Sequence, residues 1–210
     1  MSSSNTSHKA QHKEWTREGF LISTDQSLID ITALQRAFDS EDVYWAKSLP
    51  EANMRTMIES SLCFGLYSLT TSPPPVSRLS NDNTDATGPI DSIAGGGATG
   101  SISECSSSSP STSQLLSPLV GFARGITDGV TFFYLTDVYI SSEWRSQGLG
   151  KWLIQCVQEV IENMPHLRRS LLFVGHGRVE AEALYTKLMK MERIGNETVP
   201  LLWKGPGCTF

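Results

Sequence analysis

The sequence predicts a mixed α/β domain: a mostly antiparallel central sheet flanked by helices and broken by one long low-complexity insertion. Three observations carry that prediction. Two β-rich runs, 119–126 and 131–140, are joined by the turn Thr127-Asp128-Gly129, the pattern of an antiparallel hairpin. Over 149–164, Leu149, Trp152, Leu153, Cys156, Val157, Val160, Ile161 and Met164 share one helical face. Over 70–117, Ser, Gly, Pro, Thr, Asn and Asp dominate, with no aromatic residue between Tyr67 and Phe122.

The elements follow in chain order. Residues 1–17 read as a disordered tail, and 18–210 as a single domain interrupted at 70–117. The run 18–23, centred on Gly19-Phe20-Leu21-Ile22, predicts a short strand. Leu28, Ile31, Leu34 and Phe38 have helical spacing and predict a helix over 27–38. A second helix is expected to start near Ser48. Ser48 and Glu51 make a capping-box pattern, and Pro50 suits the first turn, where its missing N–H costs nothing. Met54, Met57 and Ile58 give this helix its apolar stripe, and 62–69 follows as a strand.

The insertion contains Ser72-Pro73-Pro74-Pro75, Gly95-Gly96-Gly97 and Ser106-Ser107-Ser108-Ser109-Pro110. It cannot bury enough apolar surface to offset its ordering entropy, so it reads as disordered. Its triple glycine has no strand before it and no helix after it, which argues against a phosphate loop. Beyond the hairpin, Pro165 stops the long helix. A strand is expected at 169–174, then a helix over 180–191 with Leu184, Leu188 and Met191 inward, and a last short strand at 199–203.

Bulk properties narrow the function. The hydrophobic fraction of 39% is low for a compact domain, because the insertion dilutes it. A net charge of −5 argues against nucleic-acid binding, which needs a cationic face, and tolerates a cationic substrate such as an amine. Cys63, Cys105, Cys156 and Cys208 show no CxxC spacing and no paired His, so no metal site is expected. There is no apolar leader and no stretch near the roughly 20 residues of a membrane span. The chain therefore reads as soluble and cytoplasmic, without membrane contact. Nuclear residence and a homodimer are left open.

The joint between the strand 131–140 and the long helix carries the chemistry. It holds Arg145-Ser146-Gln147-Gly148-Leu149-Gly150 followed by Lys151. A helix start leaves backbone N–H groups without partners and concentrates the positive end of the dipole. Glycine removes the Cβ that would keep an anion away, while Arg145 and Lys151 add charge. Such a joint can cradle a diphosphate. A Walker loop is excluded because Trp152, not Ser or Thr, follows Lys151. A dinucleotide fingerprint lacks its third glycine and its βαβ unit. Taken alone, R-x-x-G-x-G is equally a tight turn whose glycines serve geometry.

The run Leu135-Thr136-Asp137-Val138-Tyr139-Ile140-Ser141-Ser142-Glu143-Trp144-Arg145-Ser146-Gln147-Gly148-Leu149-Gly150-Lys151-Trp152-Leu153 resembles motif A of the GNAT acetyltransferase superfamily. Ala181-Glu182-Ala183-Leu184-Tyr185 is similar to its A-x-x-L-Y segment. The resemblance spans about 18–203 without the insertion and is closest to small single-domain members. It implies a splayed strand whose edge, at Val138, Tyr139 and Ile140, pairs with the pantetheine arm of acetyl-CoA. The amides of Arg145, Ser146, Gln147, Gly148, Leu149, Gly150 and Lys151 would then hold the pyrophosphate. Tyr185 matches the tyrosine that protonates the departing thiolate, and a packing tyrosine is the other reading of that residue.

What the resemblance implies is an acetyl-CoA-dependent N-acetyltransferase acting by direct attack on a small-molecule amine or a lysine-like side chain. A non-catalytic acyl-CoA sensor or scaffold is the alternative. The attacking amine needs a proton acceptor, and Asp137, Glu143 and His176 are candidates, with Asp137 first to test. The chain departs from the family pattern after Tyr185, where Leu188-Met189-Lys190-Met191 stands in place of a Gly-Phe pair. Arg178, Val179 and Glu180 occupy positions where a Thr and an Asp are common.

Overall fold

The computed structural model describes residues 12–70 and 119–194. Among them, six strands form one sheet in sequential order, β1 (Glu14–Arg17), β2 (Phe20–Ser23), β3 (Leu62–Ser68), β4 (Leu119–Thr127), β5 (Phe132–Ile140) and β6 (Arg169–Leu171). Every neighbouring pair is antiparallel except β5–β6, which is parallel. Helices α1 (Ile31–Asp39) and α2 (Glu51–Glu59) cover one face, and α3 (Leu149–Glu162) and α4 (Val179–Met189) the other. The predicted mixed α/β architecture is the observed one. No helix among the described residues is long and apolar enough to cross a membrane.

Two cores follow from the alternation of strand side chains. Cys63 and Phe122 point toward Leu34, Phe38, Met54 and Ile58 of α1 and α2. Phe64, Leu66, Phe133 and Leu135 point toward Leu149, Leu153, Val157 and Ile161 of α3. Helix α3 starts at the residue that its apolar period predicts and ends before Pro165. The β4–β5 hairpin turns on Asp128, whose Oδ1 accepts from the amides of Val130, Thr131 and Phe132 at 2.9, 2.7 and 3.0 Å. Gly129 sits there at φ 76°, a conformation that a side chain would oppose.

Several boundaries differ from expectation. The tail assigned to 1–17 ends in a strand: β1 pairs with β2, and Trp15 stacks on Phe64 with centroids 6.2 Å apart. The first helix begins at Ile31 rather than 27, because Asp30 caps it, accepting from the amides of Thr32 and Ala33 at 2.9 and 3.3 Å. The expected capping box does not form. Pro50 is itself the N-cap of α2, and the Ser48 hydroxyl donates to Asp39 at 2.7 Å instead. β6 covers only 169–171 of the strand expected at 169–174. Of the insertion assigned to 70–117, residues 71–117 lie outside the described residues, as does the last strand expected at 199–203.

Candidate active site

β5 and β6 pair only at Phe132–Arg169, Phe133–Ser170 and Tyr134–Leu171. Beyond Tyr134, β5 continues to Ile140 with β4 on one side and no β6 partner on the other. The two strands therefore splay, and half of β5 presents an edge. An exposed strand edge is a row of amides and carbonyls ready to pair with an extended ligand.

At the far end of that edge stands the glycine turn. Gly148 is the N-cap of α3 in the left-handed region at φ 73°, and no side chain caps the helix. A Cβ on Gly148 would meet nothing within 4 Å, so the space over the helix start is open. A Cβ on Gly150 would sit 3.6 Å from the Ile140 side chain, which brings α3 against β5. Leu149 is buried in the core at 3% exposure and anchors the first turn. Gln147 reaches back to the Trp144 carbonyl at 3.4 Å, and Trp144 packs edge-on against Phe20. Ser146, at φ 67°, and Lys151, exposed in the first turn, complete the joint.

Arg145 has a task the sequence does not reveal. Its Nε donates to the Ile140 carbonyl at 3.0 Å, and an Nη lies 3.0 Å from Asp42 in the connection between α1 and α2. The same connection carries Tyr44, whose ring lies 4.8 Å from the Arg178 guanidinium. A Cβ on Gly175 would sit 2.5 Å from the Tyr44 hydroxyl, so the backbone after β6 approaches closely there. The α1–α2 connection thus bridges the turn on one flank of the splay to the 175–178 loop on the other. No local pattern in 40–50 announces this, because both contacts are long-range.

Tyr185 lies on α4, half-buried against the same core that Val138 and Ile140 pack on. Burial pushes its phenol up to about 12, so it stays protonated across the neutral range. It lines a cleft of about 480 Å³ together with Leu172, Val174, His176, Arg178 and Glu182. The structure brings Tyr185 and His176 together at this cleft, whereas Val138–Ile140 and the turn do not line it. Helix α4 ends on Lys190 at φ 53°, a left-handed stop made without glycine.

Of the candidate bases, Glu143 is exposed in the 3₁₀ turn 142–144, and His176 is exposed at the cleft. Asp137 is different. Its side chain is only 6% exposed, and Oδ2 lies 2.6 Å from Arg124 Nε. The carboxylate that the sequence places first as base is turned to Arg124 inside the sheet. Arg124 itself escaped the sequence reading. The one available signal was a phase slip, since Phe133 and Leu135 share a face with Val138 and Ile140.

Nucleophilic relay through a thiol has no support among the described residues. Cys63 and Cys156 are both buried, and burial pushes each thiol up to about 12.

Known proteins resemble this chain in sequence and in fold. Residues 114–190 match the model of the acetyltransferase (GNAT) family. The chain is 36% identical over 160 residues to "Putative acetyltransferase FG08082" of Gibberella zeae, an alignment covering 76% of this chain and 74% of that relative. A crystal structure from meticillin-resistant Staphylococcus aureus, described as a probable acetyltransferase, is similar in fold. Its TM-score is 0.52 at 13% identity, over 89% of this chain and 99% of that one. A GNAT-family structure from Xanthomonas campestris aligns at 25% identity and TM-score 0.48, over 86% of this chain and 96% of that one.

Proposed function

From the premise that the chain belongs to the GNAT acetyltransferase family, we propose that it transfers the acetyl group of acetyl-CoA to a primary amine by direct attack. The observation that carries this reading is the meeting of an uncapped helix start with an open strand edge. Gly150 lies against Ile140, and Arg145 ties the turn to the Ile140 carbonyl.

In this reading the amides of Arg145 through Lys151 hold the diphosphate, helped by the positive end of the α3 dipole. The edge of Val138, Tyr139 and Ile140 pairs with the pantetheine arm as an added strand would. The amine nitrogen attacks the thioester carbonyl, the new C–N bond forms, and the C–S bond breaks. A backbone N–H, assigned to Val138, steadies the oxyanion. Tyr185 gives its proton to the departing sulfur. Because Asp137 is sealed against Arg124, the proton lost by the amine passes to water in the open splay.

The acceptor class is a small-molecule amine or a lysine-like side chain.

The test is release of free thiol from acetyl-CoA across aliphatic amines, aromatic amines and lysine-containing peptides. The expected result is release that depends on at least one amine class and yields its N-acetyl product. Tight acetyl-CoA binding with no amine-dependent release would instead make the chain a non-catalytic acyl-CoA sensor or scaffold.

A further inference from the structure

The Arg124–Asp137 pair is the most deeply buried ion pair among the described residues, with side chains 13% and 6% exposed. It belongs to a longer network. Arg124 Nη1 donates to Ser61 Oγ at 3.2 Å, and the Ser61 hydroxyl donates to the Met57 carbonyl at 2.7 Å. On the other side, the Thr136 hydroxyl donates to Asp137 Oδ1 at 3.3 Å. The network runs from the end of α2 across the sheet to β5. Breaking such a pair on one side strands a buried charge.

Asp137 stands at an irregularity in the ladder. Phe122 faces Tyr139 and Arg124 faces Thr136, so Ala123 alone opposes both Asp137 and Val138. Asp137 has φ 53°. In a bulge with a left-handed first residue, that residue is normally glycine, which is unstrained there. Here an aspartate accepts the strain, and its carboxylate is gripped from the neighbouring strand. The extra residue changes which side chains face α3. Val138 and Ile140 join Phe133 and Leu135 on the α3 core, and Tyr139 faces the α1–α2 core. Without the bulge, Asp137 and Tyr139 would take the α3 face, because a one-residue slip inverts a strand.

We infer that Arg124 is a positioning residue for acetyl-CoA binding. Its guanidinium holds Asp137 in the left-handed bulge, and the bulge sets the register in which Val138, Tyr139 and Ile140 present their edge to the pantetheine arm. This rests on the binding mode proposed above. The grip acts on the strand and leaves the diphosphate turn alone.

Calorimetric titration of the full chain separates the two. Wild type, Arg124→Met, Asp137→Gly and the double variant are each titrated with acetyl-CoA and with ADP, which carries the diphosphate without the pantetheine arm. Arg124→Met weakens acetyl-CoA binding about tenfold and leaves ADP binding unchanged. In the double variant, glycine holds the bulge without a partner, and acetyl-CoA affinity recovers to within about twofold of wild type. Should Arg124→Met not fold, Arg124→Lys, which keeps the charge and loses the fork to Ser61, shows a smaller loss in the same direction.

Unchanged acetyl-CoA affinity in the folded Arg124 variants, equal losses for ADP, or a double variant no better than Arg124→Met each overturns the inference. If wild type binds neither acetyl-CoA nor ADP, the binding mode itself fails first.

Discussion

Replacing Tyr185 by Phe lowers kcat about a hundredfold while leaving acetyl-CoA affinity unchanged, the usual scale for removing one positioned general acid. The thiolate that leaves acetyl-CoA is a poorer leaving group than a thiol, so a proton delivered to sulfur speeds the step. Tyr185 can deliver it because burial holds its phenol near 12 and therefore protonated. Phe keeps the ring that packs on the core beside Leu184 and Leu188, so folding is spared. The same burial predicts the pH dependence. For an ordinary tyrosine the acid would begin to ionise near pH ~10, whereas here kcat loses this group only as pH rises toward about 12. Steady-state kinetics of the variant, with acetyl-CoA affinity measured separately by calorimetry, checks the claim. An unaltered kcat reduces Tyr185 to a packing residue.

The second large effect concerns the turn. Gly148→Val combined with Gly150→Val weakens acetyl-CoA binding about a hundredfold, the loss of one or two hydrogen bonds to a charged group. The two positions act differently. At Gly148 an added Cβ meets nothing within 4 Å, but the φ of 73° is a genuine outlier for a β-branched residue. The helix start is therefore distorted where its free amides converge. At Gly150 a Cβ makes ordinary contact with Ile140 at 3.6 Å, and the two methyls that valine adds beyond it crowd the joint between α3 and β5. Arg145 is the poorer probe, since its replacement would also release Asp42 and the α1–α2 connection. Thermal unfolding of the double variant separates strain from lost binding.

Much of this was legible because its signals are local. The period of α3, the Asp128-Gly129 turn and the R-x-x-G-x-G joint each lie within a few consecutive residues, and each appears where expected. What escaped depends on distant partners. The run Glu14–Arg17 is mostly polar and became a strand through β2, aided by the Trp15 indole donating to Glu159 at 2.8 Å. Leu172, Phe173 and Val174 have strand-like composition, yet they leave the sheet where β5 and β6 part. Hydrophobicity alone cannot tell a buried strand from residues beside a cleft. Arg124 lies 13 residues from Asp137 and carries no motif. Only the slipped apolar phase of β5 hinted at the bulge that joins them.

The central claim is that free amides at the start of α3 grip the diphosphate of acetyl-CoA. Hydrogen–deuterium exchange on the full chain, with and without saturating acetyl-CoA, measures those amides directly. Exchange slows most over 145–151, and the slowing there is lost in the Gly148→Val, Gly150→Val variant. Unchanged exchange over 145–151 in the presence of bound acetyl-CoA, with protection confined to the cleft around Tyr185, would contradict the account.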